Sequence, residues 1–207
     1  CKSLKSITIP KSIISLDGNV FEDTQWFEDQ PDGPIYINNC FYKYKGEMPI
    51  NFHFDIKEGT TCICDYAFYK CKNLKTITIP DTIKTIGCYA FFDCSSLDSI
   101  SIPNSVTQLY NGAFEDCTSL TSVKLPEKIN RIEGEIFRNC SSLKSITIPN
   151  NVKEIGYYAF ERCSSLTSII IPNSVEFIEN DAFSTCINLS DITLSNNLIN
   201  IDARAFA

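Results

Sequence analysis

Phenylalanine recurs every 23 residues along most of this 207-residue chain. The series runs without a break through Phe68, Phe91, Phe114, Phe137, Phe160, Phe183 and Phe206, and Phe21 joins it once a 24-residue insertion is removed. A fixed period between about twenty and fifty residues is typical of a solenoid, in which each repeat packs only on its neighbours. The spacing therefore predicts a stack of similar coils. Such a stack offers an extended surface more than a pocket, so the sequence constrains the architecture far more than the ligand.

Cysteine follows the same period, as Cys1, Cys71, Cys94, Cys117, Cys140, Cys163 and Cys186. A residue kept at one place per coil among apolar neighbours is usually a packing element, and free cysteine behaves as a small buried hydrophobe. We therefore expect these thiols to be mostly reduced and buried. The four remaining cysteines lie outside the series and are the stronger candidates for pairing or reactivity: Cys40, Cys62, Cys64 and Cys88.

The composition argues against several classes of function. The hydrophobic fraction of 43% suffices for a continuous core, and the net charge of −7 is spread without a basic run. Nucleic-acid binding is therefore not expected. No apolar stretch approaches the roughly 20 residues that span a bilayer, so no membrane insertion is expected within this segment. Because the chain opens on Cys1 without an initiator Met and stops just past the last Phe of the series, we expect a fragment of a longer protein.

One unit, written from Cys140, shows the expected local structure. Alternation predicts a short strand with Ile146 and Ile148 inward and Thr147 outward. Proline cannot donate a ladder hydrogen bond, so the following Pro149 is expected to end that strand. The second half of the unit predicts a shorter extended step at Val152 and Ile155, a turn permitted by Gly156, and a helical turn that begins at Ala159-Phe160.

Eight units follow this plan in one domain that spans 1–207. Met48 replaces the cysteine in the second unit, and Ser195 replaces the proline in the last. The units are 1–23, 48–70, 71–93, 94–116, 117–139, 140–162, 163–185 and 186–207, with the insertion at 24–47.

The pattern Cys-x-x-Leu-x-x-Ile-x-Ile-Pro-x-x-Val-x-x-Ile-x-x-x-Ala-Phe resembles the 23-residue leucine-rich repeat of the BspA-like family. It covers about 180 residues of the chain. The resemblance implies a right-handed leucine-rich-repeat solenoid of the α/β type, with short parallel strands, short helical turns and here one inserted hairpin. It also implies a protein at the cell surface or secreted, with a role in adhesion or protein binding.

The insertion carries the only Trp and a cluster of other aromatic residues. Residues 35–37 and 40–44 predict two strands joined at Asn38-Asn39, with Tyr42 and Tyr44 on one face and Phe41 on the other. One interpretation is a binding protrusion, because Trp and Tyr are enriched at interface hot spots. The favoured alternative is a hairpin that packs its rings on the flank of the solenoid. The candidate binding residues of this segment are Trp26, Phe27, Tyr36, Tyr42 and Tyr44.

Catalytic and metal-binding motifs are weak. His53 is the only histidine and falls on an outward strand position, so a surface histidine is expected. Cys62-Ile63-Cys64 lacks the two-residue spacing of a zinc knuckle or redox pair, and both thiols are expected to point outward or edgewise. We therefore predict no enzyme activity, no metal site and no cofactor.

The outward strand residues form the other candidate surface. One row is Ser6, His53, Thr76, Ser99, Ser122, Ser145, Ser168 and Asp191; the next is Thr8, Asp55, Thr78, Ser101, Lys124, Thr147, Ile170 and Thr193. Short hydroxyl side chains are first of all good strand formers exposed to water. The candidate binding residues of this face are Thr78, Ser101, Lys124 and Thr147.

Two functions remain open at this point, with an enzyme or sensor that uses the cysteines outside the series kept only as a formal rival. The first is a non-catalytic adhesion module at the cell surface that binds a protein or glycan on host or neighbouring cells. The second is a structural spacer that projects another domain; at about 4.8 Å per coil, eight units would form a rod of about 38 Å.

Overall fold

A computed structural model describes residues 1–10, 13 and 16–207 as a β-solenoid of about seven turns. Four residues of the first unit, Lys11, Ser12, Ile14 and Ser15, lie outside the described part. In chain order the elements are α1 (Gln25–Glu28), β1 (Gly33–Ile37), β2 (Cys40–Lys45), β3 (Phe52–Asp55), β4 (Cys62–Ile63), β5 (Leu74–Thr78), β6 (Thr85–Ile86), β7 (Ser99–Ser101), β8 (Gln108–Leu109), β9 (Ser122–Lys124), β10 (Arg131–Ile132), β11 (Glu154–Ile155), β12 (Ser168–Ile170), β13 (Phe177–Ile178), β14 (Asp191–Thr193) and β15 (Asn200–Ile201).

The strands form two parallel series along the stack. The first series contains the pairs β3–β5, β7–β9 and β12–β14. The second contains the runs β2-β4-β6-β8 and β10-β11-β13-β15. Along most of both series each residue pairs with its equivalent 23 positions later, as Ile100 does with Val123 and Ile132 with Ile155. One coil therefore hydrogen-bonds to the next through two short strands, which is why a single unit is not stable alone.

Inward and outward positions follow the predicted alternation. In β7, Ile100 is buried while Ser99 and Ser101 are exposed. The strand ends two residues before Pro103, as expected for a residue without an N–H donor. The strand predicted in the unit from Cys140 is not formed, because the described residues 145–147 are not in a strand, although Ile146 and Ile148 are still buried.

The predicted helical turn at Ala159-Phe160 is wrong. The segment is a run of non-helical turns, and α1 in the insertion is the one helix assigned among the described residues. Tyr158 and Arg162 adopt left-handed backbone angles, with φ of 54° and 61°. The N–H groups of Phe160 and Arg162 donate to carbonyls of the next coil, Ala182 at 2.7 Å and Ser184 at 2.9 Å. Inter-coil bonding thus replaces the i→i−4 bonds that a helix would make.

A column of phenylalanine rings runs through the stack. Neighbouring ring centroids are 4.4–5.7 Å apart and the planes are within 24° of parallel. The column contains Phe41, Phe68, Phe91, Phe114, Phe137, Phe160, Phe183 and Phe206. The predicted series is confirmed from Phe68 onward, but Phe21 is not part of the column. Phe41 from the insertion stacks on Phe68 instead. The ring centroid of Phe21 lies 5.2 Å from that of Trp26 and 5.8 Å from that of Tyr42.

The inserted hairpin is confirmed, with β1 antiparallel to β2, but it does more than cover a flank. β2 also pairs in parallel with β4, matching Phe41 with Ile63, so it supplies the first strand of the second series. The predicted shared face of Tyr42 and Tyr44 is wrong. Tyr36 pairs with Phe41 and Ile35 with Lys43, so Tyr42 is the extra residue of a β-bulge. The bulge turns Tyr44 to the side of Phe41, where both rings contact Phe54.

The role predicted for Gly156 also needs correction. Its φ is not left-handed, and a Cβ at this position would lie 2.6 Å from the backbone N of Gly134 in the preceding coil. Glycine is therefore required by the close approach of two backbones rather than by the angle of a turn.

The periodic cysteines add a polar contact to their packing role. Each inner thiol donates to the carbonyl of the Phe 26 residues earlier, as Cys140 Sγ does to Phe114 O at 3.1 Å. The same bond, at 3.0–3.2 Å, is made by Cys94, Cys117, Cys163 and Cys186. These five cysteines are free and buried as predicted, whereas Cys71 is half-buried and Cys1 is exposed at the first coil.

Candidate functional site

The strand face brings three of the predicted binding residues together. Thr78, Ser101 and Lys124 come from the ends of β5, β7 and β9 and line one shallow depression of about 490 Å³. Asp81 and Asn104 line the same depression from the loops that follow. Thr147 is exposed on its own coil but does not line this depression. The depression therefore combines hydroxyls, an ammonium, a carboxylate and an amide on a surface wide enough for part of a macromolecule.

His53 is exposed, as predicted, and belongs to a polar cluster near the start of this face. Its Nδ1 lies 2.6 Å from Thr76 Oγ1, and its Nε2 lies 3.1 Å from Asp55 Oδ1. A hydrogen bond from Thr78, followed by one from His53, lowers the pKa of Asp55 below its ordinary value. This exposed cluster extends the hydroxyl surface from β5 to β3.

The aromatic residues of the insertion pack on the protein more than they face solvent. Tyr42 is fully buried, and its hydroxyl accepts a hydrogen bond from the Phe21 N–H at 3.0 Å. Trp26 and Phe27 are half-buried against a small second core that contains Ile35, Ile37 and Tyr42. Tyr36 contacts Phe41 and accepts from the Lys57 N–H, and Tyr44 contacts Phe52 and Phe54. These contacts support the packing interpretation, and burial removes Tyr42 from any surface that a ligand could touch.

Lys45 at the end of β2 holds the helix of the insertion in place. Its Nζ donates to three carbonyls at the end of α1 and just beyond: Phe27 at 3.1 Å, Glu28 at 2.7 Å and Gln30 at 2.6 Å. A cation near the C-terminus of a helix satisfies carbonyls that lack intrahelical partners. The hairpin and the helix therefore form one unit, which sequence reasoning did not detect because the three acceptors are backbone atoms.

Two of the cysteines outside the series are paired. Cys40 and Cys62 form a disulfide across β2 and β4, whose register places their Cα atoms 4.7 Å apart. Cys64 lies in the same cluster, and all three sulfur atoms are within 4.8 Å of one another. The three residues are buried, so the expectation that the thiols of Cys62 and Cys64 point outward or edgewise is wrong. They face the second core, which the sequence did not predict.

Arg138 and Arg131 each bridge coils through three acidic neighbours, which sequence reasoning overlooked. Arg138 contacts Glu161 at 2.6 Å, Glu115 at 3.4 Å and Glu135 at 3.5 Å. Arg131 similarly contacts Glu154, Glu179 and Glu133. The spacing of 23 residues from Glu115 to Arg138, and again to Glu161, is the signal that could have revealed the first cluster. Each cluster has three carboxylates to one guanidinium, so it carries excess negative charge.

Burial, together with this excess charge, predicts a pH-dependent stability. Burial, and next the charge of Glu135, raises the pKa of Glu115 to about 7 from its ordinary 4.5. The folded protein therefore binds this proton more tightly than the unfolded chain does. The contribution of the bound proton to the free energy of unfolding is complete below about pH 4.5 and is lost as the pH rises through about 7. Glu115→Gln is expected to stabilise the protein by about 1 kcal/mol at pH 8, after allowance for solvent screening, and to be near neutral at pH 4.5.

Thermal melts at the two pH values test this expectation. Glu127→Gln, at an exposed glutamate outside the cluster, is the control and should change neither melt. Equal effects of Glu115→Gln at both pH values would contradict the assignment.

The chain matches a family of repeat proteins over nearly its whole length. The matching model is described as the BspA type leucine-rich repeat region, in six copies over residues 1–31, 35–167 and 116–207. A search of curated proteins found no match. Among the described residues no helix is long and apolar enough to cross a membrane.

Solved structures of bacterial leucine-rich repeat proteins are similar in fold and sequence. The T. pallidum leucine-rich repeat protein is 28% identical with a TM-score of 0.70, over 77% of this chain and 76% of that one. A leucine-rich repeat protein from Eubacterium ventriosum is 27% identical with a TM-score of 0.75, over 81% and 45%. A leucine-rich cell surface protein from Faecalibacterium prausnitzii is 30% identical with a TM-score of 0.66, over 82% and 56%. The chain thus spans about half the length of the last two proteins.

Proposed function

Because the chain belongs to the BspA-type leucine-rich repeat family, we propose that it is a non-catalytic interaction module at the cell surface or secreted. The name of the similar F. prausnitzii protein supports this location. The function we infer is adhesion through a protein or glycan on a host or neighbouring cell. The observation that carries the proposal is the exposed strand face, which presents polar side chains at regular intervals along the stack.

The binding surface that we propose centres on the depression lined by Thr78, Ser101 and Lys124. Parallel pairing places Ser101 directly beside Lys124, so the hydroxyl and the ammonium act on the same part of a ligand. Thr147 extends the row by one coil. The face lacks aromatic anchors at these positions, so single contacts are weak and repeated contacts along several coils supply the affinity. The first coils are held together by the half-buried rings of Trp26, Phe27, Tyr36 and Tyr44. Only the partly exposed edges of these rings are available to a ligand.

A binding panel of extracellular matrix proteins and glycans tests this proposal. We expect at least one partner to bind saturably, and Lys124→Glu to weaken that binding about tenfold, the effect of losing about 1.4 kcal/mol. The matched control is Lys84→Glu, an exposed lysine beside β6 in the second strand series, which should leave binding unchanged. Equal loss in both variants would place the binding surface elsewhere.

A structural spacer is the second candidate function. It is favoured by the regular 23-residue pairing from coil to coil, which makes the array a stiff element. A panel in which no partner saturates, together with a distinct functional domain beside this segment in the gene, would favour the spacer over adhesion.

A further inference from the structure

The second core concentrates sulfur. It is formed by the first unit, the inserted hairpin and β4 of the second unit, and it contains Cys40, Cys62 and Cys64 beside Ile35 and Ile37. The three cysteines are only 1%, 3% and 3% exposed. Their sulfur atoms come from β2, from β4 and from the residue after β4, and they lie within 4.8 Å of one another. In the structure two of the three are joined as a disulfide, and Cys64 is free beside them.

The geometry matches the requirements of a thiolate metal site. A metal–sulfur bond of about 2.3 Å places the sulfurs of a trigonal or tetrahedral site about 4 Å apart, so changes of side-chain rotamer suffice. We propose that the reduced form of this protein binds one soft, thiophilic metal ion through Cys40, Cys62 and Cys64, with Cu⁺ as the ion that fits best. Thiolate ligands select Cu⁺, Zn²⁺ and iron–sulfur clusters over hard cations. Three sulfur ligands in an apolar core suit the low coordination number of Cu⁺.

The surroundings of the three cysteines supply a path for a metal ion. A cavity of about 220 Å³ reaches Cys62 and Cys64 and is also lined by Asp17, Asp65 and Cys88. The two carboxylates favour the entry of a cation.

Formation of the site requires a reductant. Two molecules of a low-molecular-weight thiol together donate two electrons to the Cys40–Cys62 bond and are joined as a disulfide, and the two protons that they release end on the two cysteines. Cu⁺ then displaces the protons of the three thiols to solvent. The oxidised form has one thiol left in the cluster and is expected to retain no metal there, so the redox state decides occupancy.

The test compares oxidised and reduced protein under nitrogen. The protein is reduced with a phosphine, loaded with Cu⁺, desalted, and analysed for copper per chain and for thiolate–copper charge-transfer absorption. We expect one equivalent in the reduced protein and none in the oxidised protein. X-ray absorption of the loaded wild type should count three sulfur ligands, a readout that needs no variant. Failure of this test leaves the adhesion proposal untouched, because the cluster lies outside the strand face.

Cysteine variants identify the ligands. Cys64→Ser should lose the equivalent of copper, whereas Cys1→Ser, at the exposed thiol, and Cys88→Ser, at the cavity wall, should retain it. A far-ultraviolet spectrum and a melt of each variant show that it is folded. The proposal is overturned by a reduced wild type without stoichiometric copper, by a Cys64→Ser variant that retains it, or by a count of two sulfur ligands.

Discussion

Replacement of Phe137 by Ala is expected to lower the free energy of unfolding by about 3–5 kcal/mol. The ring is fully buried and stacks between Phe114 at 5.7 Å and Phe160 at 5.5 Å. Its removal leaves a cavity in the middle of the column, where coils on both sides are fixed by parallel pairing and relax only in part. Because each coil is folded only between neighbours, the loss falls on the interfaces to both sides. Chemical denaturation followed by far-ultraviolet circular dichroism measures it.

The matched control is Ser145→Ala in the neighbouring coil. Ser145 is exposed on the strand face, so the change should stay within about 0.5 kcal/mol. Similar losses in the two variants would refute the assignment of inward and outward faces on which the fold depends.

Replacement of Phe41 by Ala is expected to cost about as much as the change at Phe137, roughly 3–5 kcal/mol. The ring is fully buried, stacks on Phe68 at 4.4 Å and contacts Phe54 at 5.4 Å. Because this ring starts the column, we expect its loss to destabilise the first coils most. Hydrogen exchange should therefore show faster opening of β2 and β4 than of β13 and β15, in addition to a lower melting temperature.

Phe21→Ala is the control that separates the two possible columns. Phe21 is only half-buried and packs on Trp26 and Tyr42 in the second core, so its loss should cost clearly less than the loss of Phe41. A larger effect at Phe21 than at Phe41 would mean that the first unit, and not the hairpin, supplies the ring below Phe68.

Sequence reasoning succeeded where a residue meets its own equivalent in the next coil. The rings from Phe68 to Phe206, the inner thiols, and the exposed serines of β7 and β9 all follow from the period. Sequence reasoning failed where a contact joins residues at different positions of the repeat. The bulge at Tyr42, the carbonyls bound by Lys45 and the approach of Gly156 to Gly134 each depend on backbone placement that side-chain identity does not encode.

The candidate sites divide in the same way. The period placed Thr78, Ser101 and Lys124 in neighbouring strands, and parallel register is enough to bring them to one depression. The cysteines outside the period were recognised as the pairing candidates, but their partners were not. Cys40 pairs with Cys62, a separation of 22 residues, because β2 and β4 are in register there.

The sequence by itself determined the stack of coils, the identity of its core column from Phe68 onward and the polar character of its strand face. A 23-residue period suffices for this, since every interior contact repeats between identical positions. Only the tertiary structure decided how the stack begins. The insertion interrupts the 23-residue period, so the period does not show whether Phe21 or Phe41 stacks on Phe68, or which of the cysteines outside the series meet. The pairing of β2 with β4 selects Phe41 and gathers the three sulfurs, because hydrogen-bond register between distant segments, not spacing along the chain, fixes which side chains meet.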